Sequence, residues 1–108
     1  MGALSAIPRR FLPDSMLVRT PDSFGDLDDA VEISHVRFVR KQSVCDDGHR
    51  SADAGTGKVY LDAVNSTGAF EVPAGSRVEI RGHSYLVAEC KRCEGFGGKV
   101  HHWELVVR

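Results

Sequence analysis

Apolar and polar residues alternate along most of the second half of this chain, and the alternation predicts strands. "KVYLDAV" (58–64), "GAFEV" (68–72), "SRVEIRG" (76–82), "YLVAECKR" (85–92) and "VHHWELVV" (100–107) each read this way. A side-chain period of two places alternate residues on one face, where they can be buried together. In 76–82, Val78 and Ile80 alternate against Arg77, Glu79 and Arg81. "PAG" (73–75), "RGHS" (81–84) and "EGFGGK" (94–99) supply turns between these runs. In the first half, "SMLVRT" (15–20) predicts a short strand, and "PDSFGDLDD" (21–29) an acidic loop. "AVEISHVRFVR" (30–40) alternates and then slips. Val31, Ile33 and His35 share one parity, whereas Val36 and Phe38 share the other, which predicts a strand with a bend or bulge. Residues 1–14 carry Pro8 and Pro13 and little periodicity, so they read as an extended arm. Short strands at close spacing with scarce helical periodicity predict an all-β barrel or sandwich.

Two segments carry more information. "KQSVCDDGHRSADAGTG" (41–57) is polar, glycine-bearing and long for a connection inside a small domain. Such loops are usually functional or disordered, and both readings stand here. At the other end, a hairpin folded about "EGFGGK" sets Cys93 opposite Val100 and Cys90 opposite Trp103. Leu86, Ala88 and Cys90 then share a buried face with Trp103, Leu105 and Val107. Tyr85, Leu86, Trp103 and Leu105 are the expected core of this region.

Composition narrows the function classes. A chain of 108 residues with 42% hydrophobic residues can bury one small core, so a single domain over 1–108 is expected. A net charge of −1 offers no bulk attraction to nucleic acid or to an anionic membrane. No apolar run is long enough to span a bilayer. The first residues do not read as a secretion leader, because the apolar run is short and Arg9 and Arg10 follow it. Three cysteines without such a leader point to a reducing compartment, not a disulfide framework.

The chemistry-bearing residues offer several centres. Cys90-x-x-Cys93 with His101-His102 has the element types of a zinc site, and the alternative metal set is Cys90, Cys93 and His101. Against it, adjacent histidines on a strand point to opposite faces, as do residues three apart. The reading adopted is a packed hairpin holding no metal and no cofactor. Cys45 lies near Asp46, Asp47 and His49, but no rigid element orients a base against the thiol. "GFGGK" resembles half a phosphate loop, yet it leads into a strand and not a helix. With 7% aromatic residues, a nucleic-acid-binding barrel has few stacking platforms. No catalytic residue is assigned. A small zinc- or nucleic-acid-binding β-barrel remains the alternative function.

Four stretches taken together resemble a known family. They are "IPRRFLPDSMLVR", "VYLDAVNS", "AGSRVEIRGHSYLV" and "HHWELVV", and they run along nearly the whole chain. The chain resembles the minor capsid proteins of tailed phages of Gram-positive hosts. The loop at 41–57 and the cysteines at 90 and 93 depart from that pattern. The resemblance implies a non-enzymatic virion protein of the phage neck, a head-completion or stopper subunit assembled in the host cytoplasm. It implies a small antiparallel β-barrel with an extended N-terminal arm and one long inter-strand loop. The implied partners are further copies in a ring, a portal-side adaptor, a tail-side connector or tail terminator, and packaged double-stranded DNA. No membrane is involved. On that reading the loop faces the channel with Asp46, Asp47, His49, Arg50 and Asp53, a mix of charges that would not trap DNA. Ile7, Arg9, Arg10, Phe11 and Leu12 of the arm, together with exposed strand edges, would contact partners, because ring contacts must be heterologous.

Overall fold

A computed structural model describes residues 6–40 and 57–108. Six strands form: β1 (Asp14–Arg19), β2 (Val31–Arg40), β3 (Gly57–Asp62), β4 (Arg77–Ile80), β5 (His83–Glu94) and β6 (Val100–Val107). They close into an antiparallel barrel in the order β1-β2-β3-β6-β5-β4, with β1 pairing to both β2 and β4. Helix among the described residues is confined to two 3-10 turns, Arg9–Phe11 and Phe96–Gly98. The channel-facing set Asp46, Asp47, His49, Arg50 and Asp53 lies outside the described residues.

Alternation fills the interior. Met16 and Val18, Ile33, Val36 and Phe38, Val59 and Leu61, Val78 and Ile80, and Trp103, Leu105 and Val107 are all buried, whereas their sequence neighbours within the strands are largely less so. The parity slip in β2 is a bulge. Asp14 pairs with Val36 and Ser15 with Ser34, so His35 is the extra residue, and its φ is 61°. That single insertion carries Val36 and Phe38 onto the face that Ile33 already occupies.

Turn chemistry sets the other registers. Arg81 and Gly82 both have positive φ, 53° and 79°, which is the type I′ geometry of a two-residue hairpin between β4 and β5. The Arg81 guanidinium then grips Asp14 through two nitrogens at 2.9 and 3.0 Å and lies over the Phe38 ring. Asp14 also accepts the Phe38 backbone N–H at 3.1 Å, so one carboxylate ties β1, β2 and the β4–β5 turn together.

Three expectations need correction. Residues 68–72 do not form a strand. They belong to the segment that crosses from β3 to β4 and pair with no strand. Val72 instead drops its side chain fully into the core, with Ala69 and Phe70 packed against it. The β5–β6 register also differs by two residues: Cys90 pairs with Leu105, and Cys93 with His102. Part of the shift arises at the turn end, where Glu94 pairs with Val100 but Cys93 with His102, leaving His101 extra; farther along, Val87 pairs with Val107 but Glu89 with Val106, leaving Ala88 extra. Before it Tyr85 and Val87 point inward, and after it Cys90 does. Leu86 is therefore only half-buried and Ala88 is exposed, while Tyr85, Trp103 and Leu105 lie in the core.

Leu61 is fully buried between Val36 of β2 and Trp103 of β6. Leu61→Ala is expected to destabilise the barrel by about 2–5 kcal/mol in denaturant unfolding, through lost burial and a residual cavity. Leu17→Ala, on the exposed side of β1, is expected to stay within about 0.5 kcal/mol of the parent.

Candidate functional site

The most connected polar site is the tail of β3. "LDAVNS" leaves the strand in a turn, and its polar groups are buried, with Asp62 at 0% exposure and Ser66 at 4%. A buried carboxylate is tolerated only where donors surround it. Asp62 has three: Oδ1 accepts the Ile7 N–H at 2.9 Å, and Oδ2 accepts those of Val64 and Asn65 at 2.9 and 2.7 Å. Asn65 completes the exchange by donating from Nδ2 to the Ile7 carbonyl at 2.7 Å. Ser66 Oγ accepts the Asp62 N–H at 2.8 Å and donates to the carbonyl of His35, the bulge residue. Thr67 and Ser34 exchange two backbone hydrogen bonds beside it, each 3.0 Å.

This network binds three distant parts of the chain: the arm, the β2 bulge and the β3 turn. The arm therefore lies on its own barrel. Leu12 is buried at 1% exposure, and Ile7 is half-buried with both of its backbone polar groups engaged. These two residues are thus committed within the chain. Arg9, Arg10 and Phe11 remain exposed, with Arg10 stacked over the Phe11 ring at 4.8 Å.

The second site is the outer face of the C-terminal hairpin. His102 and Glu104 are two apart on β6 and share a face, and Cys93 lies directly across from His102. Inward-pointing Trp103 sits between them and donates from its indole nitrogen to Glu71 at 3.4 Å. Cys93 Sγ lies 3.9 Å from Glu104 Oε2, and His102 Nε2 lies 3.5 Å from the same oxygen. His101 and His102 meet through their Nδ1 atoms at 2.9 Å. Lys58 holds the other oxygen of Glu104 at 3.8 Å. The alternative trio Cys90, Cys93 and His101 is not the group that converges. Cys90 packs against the core, and the register brings Cys93 to His102 instead.

Both described thiols are held above the ordinary cysteine range. Burial is the largest cause for each, followed by the negative charge of Glu71 at Cys90 and of Glu104 at Cys93. A cleft of about 90 Å³ between β1 and β4 is lined by Leu17, Arg19, Arg77, Glu79 and their neighbours. That volume is small beside the roughly 300–1,000 Å³ of ligand pockets. No helix among the described residues is long and apolar enough to cross a membrane.

The described residues thus define a small closed β-barrel that carries its own N-terminal arm, pinned by a buried carboxylate at the end of β3. A family model described as minor capsid protein matches residues 9–107, and the chain belongs to that family. Its role is accordingly structural and its place is the virion. No curated protein and no solved structure matches the chain.

Two outcomes are expected. Asp62→Ala strands three backbone donors, so it should cost roughly 1–3 kcal/mol and speed amide exchange at Ile7, Val64 and Asn65 well beyond that at Val59. Second, the raised thiols of Cys90 and Cys93 hold less thiolate at neutral pH. Each should react with iodoacetamide more slowly than an unstructured cysteine peptide, with a rate that climbs as pH rises past the ordinary thiol range.

Proposed function

We propose that this minor capsid protein is a subunit of the ring joining head to tail in a tailed phage of a Gram-positive host. In this role it is a head-completion or stopper component without catalytic activity. The supporting observation is the connection between β2 and β3. Arg40 and Gly57 are directly paired neighbours at the ends of adjacent antiparallel strands. A two-residue turn would join such ends. The chain spends residues 41–56 there instead. The fold does not require this insertion, so it is free to serve something outside the barrel. We assign its Asp46, Asp47, His49, Arg50 and Asp53 to the channel, where they face packaged double-stranded DNA.

Neighbouring subunits, the portal-side adaptor and the tail-side connector need surfaces. The structure offers Arg9, Arg10 and Phe11 on the outside of the pinned arm. It also offers β5 from Glu89 to Glu94, which has a strand partner on one side only, in β6. Glu89, Lys91, Arg92 and Glu94 line that stretch. Charged side chains of this kind discourage indiscriminate edge pairing and favour a matched partner. Heterologous contacts made this way close by rotation into a ring.

The test replaces residues 42–55 with Asn-Gly in the phage. The barrel is expected to keep its thermal transition, while filled heads lose DNA to added nuclease. Heads that hold their genome as well as the parent's would refute the channel role. Particles that assemble normally without the protein would refute its place in the ring.

A further inference from the structure

We propose that Cys93, His102 and Glu104 form a binding site for one divalent transition ion of zinc type on the outer face of the β5–β6 hairpin. The three side chains offer a thiolate sulfur, an imidazole nitrogen and a carboxylate oxygen, a donor set that suits zinc. Their ligand atoms already lie within 4.8 Å of one another. A tetrahedral zinc ion needs such atoms about 3.3–3.6 Å apart, given its bond lengths. His102 Nε2 and Glu104 Oε2 stand at 3.5 Å, and Cys93 Sγ and Glu104 Oε2 at 3.9 Å. Cys93 and His102, the third pair, lie within 4.8 Å, so side-chain rotation has to bring these two closer.

The strand geometry makes this convergence specific. Residues two apart on β6 and the residue across from the first of them form a triangle on a pleated surface. A register one residue different would send one donor inward. The bulges at Ala88 of β5 and His101 of β6 bound the register that is present.

The surroundings also suit an ion. His102 Nδ1 lies 2.9 Å from His101 Nδ1. When His102 donates that N–H to His101, its Nε2 lone pair is left facing Glu104 and the thiol. Metal-bound histidines are commonly oriented by such a second hydrogen bond. Lys58 engages Oε1 of Glu104 and leaves Oε2 for the ion. Binding displaces the Cys93 thiol proton to solvent, and the cation offsets the repulsion between thiolate and carboxylate. Water fills the fourth position in the isolated subunit. The inference stands independently of the ring assignment, because it needs only the hairpin.

The purified full chain, stripped with a chelator, is titrated with Zn²⁺ against a chromophoric competitor and with Co²⁺ by absorption spectroscopy. One equivalent per chain is expected, with a thiolate-to-cobalt charge-transfer band. Cys93→Ser should abolish the band, and Glu104→Gln should weaken Zn²⁺ binding at least tenfold. Cys90→Ser should leave both unchanged. The wild-type thermal transition should shift upward with Zn²⁺. Both substitutions lie on the outer face, so the thermal transition without metal reports whether each variant folds. Absence of stoichiometric binding by the parent overturns the proposal. So does binding retained at parental strength in both folded variants, which would place the ion elsewhere.

Discussion

Closure of the barrel is the constraint on which the rest of this structure depends. Because β1 pairs with both β2 and β4, the six strands form a ring of ladders around one apolar interior. The inward faces must then be filled at close to crystal density, which the aliphatic residues of every strand accomplish. Closure also limits the remaining chain. The crossing from β3 to β4 joins no ladder and contributes Val72 to the core as a plug. The arm joins none either. Its Ile7 N–H must be satisfied by a side chain, and Asp62 supplies the acceptor.

Two carboxylates therefore do what additional strand pairing would do in an open sheet. Asp14 gathers Arg81 and the Phe38 N–H, and Asp62 gathers the arm and the turn after β3. Both sit where a strand begins or ends, and both act between segments distant in sequence. The stretches "LPDS" and "LDAVNS" contain these two acids. Their physical meaning is the fastening of loose ends to a closed sheet.

The fold class was legible because short alternating runs recur along the chain and glycine-bearing turns separate several of them. The β2 bulge was legible for a particular reason. Polar Glu32 and Arg37 lie on either side of the slip, so the change of parity at Val36 and Phe38 shows. The β5 bulge was hidden, because Tyr85, Leu86, Val87 and Ala88 are apolar on both parities and fit either face. The extra residue at His101, between Val100 and His102, gave no signal either, and it displaces the expected hairpin register. "GAFEV" misled in another way. It alternates as a strand would, but alternation reports which side chains are buried and not whether a ladder is available. An aspartate at a strand end followed by a turn is a local signal for capture of the next N–H groups. Its bond to Ile7, 55 residues away, had no local signal at all.

The outer surface of the hairpin follows from the same logic. Once the interior has taken Cys90, Trp103 and Leu105, strict alternation drives Cys93, His102 and Glu104 outward together. Their grouping is thus a by-product of packing and bulge placement, and no separate loop had to be built to hold them. The tryptophan between the two β6 donors keeps their strand fixed by burying its ring and bonding Glu71. Preorganisation of this kind lowers the ordering cost of any ligand that the outer face accepts. The "HHWEL" stretch therefore has two sides with different tasks. Trp103 and Leu105 close the core, and His102 and Glu104 present a rigid, half-exposed pair of donors to whatever meets the hairpin from outside.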